Sequence, residues 1–429
     1  MGRRSALLCL LLLIPWRIVA PQGHLRDRLR DLFTFGDCGR PLCLDGSVSA
    51  ANGHGDHFLP DLAVGNAAVI GFLTDAIALN VASVPITASA SGATYKFVGG
   101  LPVKTSESSG PIFAERAQTL GRGRLFLGAH LAGAQLKTIR GTPLDNLLLN
   151  FTHQDVGTAG LGDPVLENDV LQMHLSLQVS LTVASLFATY GISDAVDVSV
   201  AIPLVHTSLQ GRSEAQVLPF GSTAVHFFTG TSSDPGLRAS AATFGSSTGI
   251  GDIAVRLKAN LHTDQRYAVS LMGDARLPTG SEEELTGAGA FAFRGFAIGS
   301  ARLGDFSPHV NLGYLLRAGH RRNDALLATA GFDQPVASWA TLAVDVVSEW
   351  QTGRNALSLP GTVTYQFPFI RTVEPTNIPA SRDHRVHASL GFKFRASQKT
   401  TLITNALLPV KRGGLQPYVM WTVGADFNF

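Results

Sequence analysis

In the C-terminal half of the chain, residues able to carry charge recur on alternate positions. Asp252, Arg256 and Lys258 share one parity against Ile253, Val255, Leu257, Ala259 and Leu261. Arg266, Asp274 and Arg276 oppose Tyr267, Val269, Leu271, Ala275 and Leu277. Asp345 and Glu349 oppose Leu342, Val344 and Val346, while Arg385, His387, Lys393 and Arg395 oppose Val386, Ala388, Leu390, Phe392 and Phe394. Acids and bases on one face can pair across a confined space or line a wet passage. They do not form a catalytic constellation. Glu282, Glu283 and Glu284 read as a solvated loop run, and the Gly-rich stretch 245–252 leads into a strand pattern without the Lys of a phosphate loop. The chain is read as non-enzymatic, with no cofactor and no metal demanded by its residues.

A period of two belongs to a β-strand, in which successive side chains point to opposite faces. These runs reach the 9 to 11 or so residues that cross a bilayer at a tilt of about 45°, whereas strands of globular proteins average about 5 to 6. A basic side chain facing lipid at the midplane costs about 2 to 4 kcal/mol, and one facing a wet lumen costs little, so lipid contact purges charge from one parity. A soluble β-sandwich also segregates charge, toward outside water, so strand length is what favours a barrel. The expected lumen then holds Asp252, Arg256, Lys258, Arg266, Asp274, Arg276, Asp345, Glu349, Arg385, Lys393, Arg395 and Asp426. That wall, of mixed sign with a basic surplus, fits either a narrow aqueous pathway or an internal salt-bridge network that closes the barrel. The closed network is favoured, because facing charges in a small barrel pair before they conduct.

The composition agrees. Lys+Arg 34 against Asp+Glu 32 leaves a net charge of +2, which gives no electrostatic footing for a nucleic-acid partner. Only 15% of the residues are charged, and Gly 45 with Pro 21 marks a turn-rich chain, while an apolar fraction of 45% excludes disorder. Residues 1–20 begin with Arg3 and Arg4 and continue into an apolar run too short to span a bilayer, the anatomy of a secretory signal. Cys38 and Cys43 then read as a small disulfide loop in an oxidising compartment. His54, Asp56 and His57 read as solvated, and Asp75 argues against a spanning helix over 63–84. Residues 21–90 are expected to form a periplasmic or plug segment, and 91–429 the barrel.

The final strand carries Val419, Trp421, Val423, Phe427 and Phe429 on one parity, an aromatic-rich set suited to lipid. Ending on Phe429, it resembles the C-terminal assembly signal of bacterial outer-membrane β-barrels, which implies the barrel assembly machinery and outer-membrane lipid as partners. The segments GISDAVDVSVAIPLV (191–205), GIGDIAVRLKANL (249–261) and ARLPTG (275–280) resemble the bacterial meta-pathway phenol-degradation family, grouped with outer-membrane transporters for hydrophobic compounds. The resemblance, over roughly the last 240 residues, implies a barrel assisting uptake of small aromatic or other apolar molecules.

Short turns are expected at 191–195, 262–265, 304–308, 333–338 and 396–399, and longer connections at 207–248, 278–288, 318–325, 351–383 and 409–416. That asymmetry is expected of an outer-membrane barrel. Phe220, Phe227 and Phe228 in the 207–248 connection either form an apolar mouth or pack the loop. The expected fold is all-β, an up-and-down transmembrane barrel of about 12 to 14 strands with a short N-terminal helical or plug segment. Its expected role is passive passage of small molecules in the outer membrane of a Gram-negative-type bacterium. A non-transporting structural or adhesive barrel and a soluble sandwich stand as alternatives.

Overall fold

Alternation over the second half of the chain closes into a continuous wall. The computed structural model describes residues 23–35, 42, 71, 73–78, 95–98, 101–104, 108–152, 169–219, 226–231, 233–319, 323–355, 359, 361–366 and 369–429. The 1–20 signal, Cys38, Cys43, His54, Asp56, His57 and Phe220 lie outside the described residues.

The wall consists of 12 strands. They are β1 (Leu125–Ile139), β2 (Val170–Gly191), β3 (Val196–Leu218), β4 (Ala254–Thr263), β5 (Tyr267–Arg276) and β6 (Ala292–Ala301). There follow β7 (Ser307–Arg317), β8 (Ala325–Ala337), β9 (Ala340–Gln351), β10 (Arg385–Arg395), β11 (Thr400–Arg412) and β12 (Leu415–Asn428). Each pairs antiparallel with its sequence neighbours, and β12 returns to β1, so the barrel has no open edge. At the seam, Leu125 and Phe429 exchange backbone hydrogen bonds of 3.2 and 2.8 Å. Higher up, Gly133 faces Trp421, and a Cβ there would come within 2.3 Å of the indole. Glycine is therefore what lets the ring lie across the join.

Connections alternate in length. At one end they are 192–195, 264–266, 302–306, 338–339 and 396–399; at the other are 140–169, 219–253, 277–291, 318–324 and 352–384. The short-turn end is periplasmic. The connection expected at 409–416 is instead a tight turn, because β11 runs to Arg412 and Gly414 takes a positive φ of 65°.

Outward positions make the membrane belt. Leu186, Leu271, Leu312, Leu390 and Val423 are exposed on the outer surface. Tyr190, Tyr267, Trp339 and Phe429 ring the periplasmic border, and Tyr314, Trp350 and Tyr418 ring the other. Trp339 just precedes β9 and Trp350 lies near its end, and at about 3.4 Å per residue and a tilt of about 40° they stand roughly 28 Å apart along the membrane normal. The apolar band of such barrels is about 25 Å tall.

The 207–248 connection is not a loop over its full length. Strands β2 and β3, of 22 and 23 residues, run about twice the length that crosses a bilayer. Beyond the membrane, β2 pairs with the strand Leu147–Thr152, and β3 pairs with Arg238–Ile250, so four strands form an extracellular arm. Polarity reverses along the way. In the membrane, Leu186, Tyr190, Val200 and Ile202 point outward, with Thr189, Asp197 and Ser199 inward. In the arm, His174, Gln178, Arg212 and Glu214 point outward, with Leu175, Val179, Leu209 and Val217 inward. The change falls between the paired residues Ala184 and Leu204 and the next outward pair, Thr182 and His206.

Helix α1 (Leu25–Asp31) covers the inner face of the arm. Leu25, Leu29, Leu32 and Phe33 join the arm residues in one apolar core, together with Leu73, Ala76 and Ile77 from the helical residues 73–78. Phe228 is in the same core, its ring 5.2 Å from that of Phe35, and Phe227 is also buried. These two aromatics pack the extracellular end rather than lining an open mouth. The Glu282–Glu284 run is engaged as well: Arg26 lies 3.2 Å from Glu282, and His24 lies 3.3 Å from Glu283 and 2.9 Å from Glu284. The two glutamates, Glu284 first through its hydrogen bond, raise the His24 pKa above its usual value.

Candidate functional site

Residues 108–124 cross the lumen near its periplasmic end before the chain enters β1. The segment lacks a regular hydrogen-bonding period, so its backbone groups need partners from elsewhere. Wall side chains supply them. Thr341 Oγ1 accepts from the Ser109 amide at 3.0 Å, and Ser300 Oγ accepts from the Ala117 amide at 2.9 Å. Asn260 Nδ2 donates to the Ala117 carbonyl at 2.9 Å, as does the Ser270 hydroxyl. The Asp197 carboxylate accepts from the Leu120 amide at 3.0 Å. Asn311 does both, accepting from the Glu115 amide at 2.7 Å and donating to the Glu115 carbonyl at 2.9 Å.

Two adjacent charges clamp this crosspiece to different walls. Glu115 lies 3.2 Å from Arg256 and 3.4 Å from Lys258, both on β4. Arg116 pairs with Asp333 on β8, which also receives the Ser108 hydroxyl. Networks extend along the wall: Arg256 reaches Asp274 at 2.7 Å, His309 reaches Asp345 at 2.6 Å, and Arg317 reaches Glu349 at 2.7 Å. Near the seam, Asp426 lies 2.9 Å from His130 and 3.9 Å from Lys393.

Of the residues singled out from the sequence, Arg256, Lys258, Asp274, Arg276, Asp345, Lys393 and Asp426 are buried inside the wall. Glu349 and Arg385 are half-buried on the same side and line a cavity. Arg395 is half-buried at the periplasmic end of β10. Asp252 is buried in the break between Arg238–Ile250 and β4, where its carboxylate accepts from the amides of Gly280 at 3.1 Å and Ala288 at 2.9 Å. It therefore anchors the 277–291 connection. Arg266 departs from the expectation: β5 begins at Tyr267, and Arg266 sits exposed in the 264–266 turn. Its alternation with Tyr267 continues past the strand end, which the sequence does not mark. On the final strand, Val419, Trp421, Val423 and Phe429 are exposed outward and Phe427 is half-buried.

The charge alternation singled out none of Glu115, Arg116, Arg294, His309, Asn311, Arg317 and Asp333. Those on β6, β7 and β8 share the inward parity of their strands, a signal present in the sequence. Residues 245–249 also read Gly-x-Ser-x-Gly, yet they run as regular strand against β3, so Ser247 is not on the strand-to-helix elbow that such a nucleophile needs. Among the described residues no three of His, Cys, Asp and Glu converge as a metal site.

Above the crosspiece lies a cavity of about 150 Å³. Phe113, Met272, Phe296, Leu327, Leu407 and Met420 give it apolar surface, and Arg256, Arg294 and Arg385 with Glu115, Asp274 and Glu349 give it charge.

Residues 168–370 match the sequence model of a family described as "Putative MetA-pathway of phenol degradation". The match contains the three segments that carry the resemblance. No curated protein sequence matches the chain. Among solved structures, an outer membrane channel from Pseudomonas putida F1 is similar at a TM-score of 0.41 and 10% identity, over 73% of this chain and 98% of that one. The TodX monoaromatic hydrocarbon channel, as a deltaS2 mutant, is similar at a TM-score of 0.34 and 10% identity, over 73% of this chain and 92% of that one.

Proposed function

We propose that this outer-membrane barrel serves the passive passage of small molecules with aromatic or otherwise apolar bodies. The observation that carries the reading is the cavity of about 150 Å³ inside the wall above the crosspiece. A cavity of about that volume is large enough for a single aromatic ring. Phe113, Phe296 and Met420 supply surface for a ring, and the phenol-degradation match over 168–370 points to the same class of solute.

Passage needs the crosspiece to yield. Side chains of the wall, rather than a strand ladder, hold its backbone at Ser109, Glu115, Ala117 and Leu120. It can therefore leave the lumen without unzipping the barrel. The barrel assembly machinery belongs to the same reading as the partner that inserts the chain, for which the outward aromatic alternation of β12 is suited.

Two measurements test the proposal. Removing residues 109–117 should raise single-channel conductance in planar bilayers above that of the intact chain; equal conductance would argue for a structural barrel. Cells lacking the protein should grow more slowly on a scarce aromatic carbon source and normally on acetate. Unchanged aromatic uptake would sink the passage reading.

A further inference from the structure

Cross-strand partners point to the same side of a sheet, so the pairings of β2, β3 and Arg238–Ile250 set the outward side chains of the arm in rows of three. The last apolar row is Ala184, Leu204 and Ile250. Next come Thr182, His206 and Thr248, in which His206 Nδ1 lies 2.8 Å from the Thr248 hydroxyl. Two residues farther out, about 7 Å of strand, stand Ser180, Ser208 and Ser246. Gln178, Gln210 and Phe244 form the row beyond.

A row of serines between two rows of longer side chains makes a trough across three strands, with hydroxyls for its floor. Its rims lie about 14 Å apart from Cα row to Cα row. On β1, the exposed Gln135 pairs with Ser180 and closes one end. The other end is open, because among the described strands Arg238–Ile250 pairs only with β3. None of the nine side chains in the three polar rows carries a fixed charge, and beyond them Arg212 and Glu214 pair with each other at 3.0 Å. Phe244 is 79% exposed, more than any other large apolar side chain among the described residues. It stands above the belt, so hydrocarbon does not account for it.

We propose that this trough docks the sugar headgroup of a glycolipid of the outer leaflet. The Phe244 ring lies against a C–H face of a sugar, and the hydroxyl, amide and imidazole rows meet its hydroxyls. A sugar offers both surfaces: apolar C–H groups on the faces of the ring, and hydroxyls that donate and accept around its edge. Ser, Thr and Gln side chains donate and accept in the same way. The occupant is a membrane lipid because the trough is continuous with the belt. A molecule whose acyl chains lie against Leu204 and Ile250 carries its headgroup onto the rows above them. Recognition through phosphate would call for cations, which the three rows lack. The arm thereby acquires a role separate from passage, that of holding the barrel to the glycolipid around it.

The test uses the full-length protein in a polyoxyethylene detergent, since a maltoside would itself offer sugar. In a saturation-transfer NMR titration, the delipidated core oligosaccharide of rough lipopolysaccharide should bind equally well in about 0.1 M and about 0.5 M salt. Phe244→Ser should weaken it about two- to tenfold, the worth of one aromatic contact, and Phe244→Trp should retain it. Ser208→Gln, which fills the floor, should weaken it as well. Intact lipopolysaccharide should co-purify with the native protein at a higher ratio than with Phe244→Ser. Heat-modifiable migration verifies that each variant is folded, and the native protein at two salt concentrations tests the assignment without any variant. No binding of the oligosaccharide, or full affinity in the folded Phe244→Ser and Ser208→Gln variants, overturns the assignment. So does binding lost at the higher salt, which would point to phosphate, or equal co-purification, which would leave only free sugar as the ligand. None of these results bears on conductance or growth.

Discussion

The side-chain amide of Asn311 grips the backbone of Glu115 from both sides, accepting from its amide at 2.7 Å and donating to its carbonyl at 2.9 Å. A wall side chain thus does for the crosspiece what a neighbouring strand does elsewhere. The floor of the lumen is consequently fixed residue by residue, and single substitutions should loosen it.

Asp333 is the strongest such point, because Arg116 pairs with it and His309 lies 3.6 Å away. Asp333→Asn removes a fully buried carboxylate from this cluster, and breaking a buried pair costs about 3 to 5 kcal/mol. Single-channel recordings should show more frequent and larger openings, and the variant should unfold at lower temperature. Recordings identical to those of the native protein would mean that the crosspiece does not close the lumen.

The reversal of polarity along β2 predicts a contrast on one face of one strand. Leu186 is 62% exposed in the membrane belt, and His174 is exposed on the same side in the arm. Leu186→Arg should cost up to about 2 to 4 kcal/mol and reduce the folded fraction in the outer membrane. His174→Arg should remain within about 0.5 kcal/mol of the native protein. Heat-modifiable migration of membrane fractions reads both, and equal tolerance would contradict the membrane boundary.

The clamp of His24 on Glu283 and Glu284 should depend on pH. A pKa raised in the folded state means that the stabilisation is fully present below the unfolded value, about 6.5, and is lost as pH rises through the raised value. Hydrogen exchange at α1 should therefore exceed its intrinsic increase as pH rises through that window. His24→Gln should abolish the excess, and an unchanged excess in this variant would assign it to another group.

Leu29 tests the extracellular core, being 1% exposed where α1 meets the arm. Leu29→Ala should destabilise the helix docking by about 2 to 5 kcal/mol while the wall stays closed. Limited proteolysis should then cut near α1 at a protease level that spares the native protein, with heat-modifiable migration retained.

The wall was legible because lipid and lumen impose opposite demands on adjacent residues. Arg256 against Leu257 and Lys393 against Phe392 show the rule directly. The arm was harder to see. Between 207 and 218 the outward residues, such as Gln210 and Arg212, are polar, and Gly211 and Ser213 face inward beneath Leu32, so the stretch looked like a loop. The crosspiece carries no period at all, and its shape depends on distant partners such as Asn311 and Ser300. Nothing near Glu115 in the sequence announces them. Arg294 was partly legible: its inward parity can be read, but its place beside the cavity is a property of the closed barrel.

The reversal between Leu204 and His206 also fixes how deep the molecule floats. Sliding the barrel inward by two residues, about 7 Å of strand, would carry His206 and Thr182 into hydrocarbon. Sliding it outward would wet Leu204 and Ala184. Either displacement is opposed by the same four side chains, so the arm pair carries a waterline written into its own residues, and the cavity's height in the membrane is set with it.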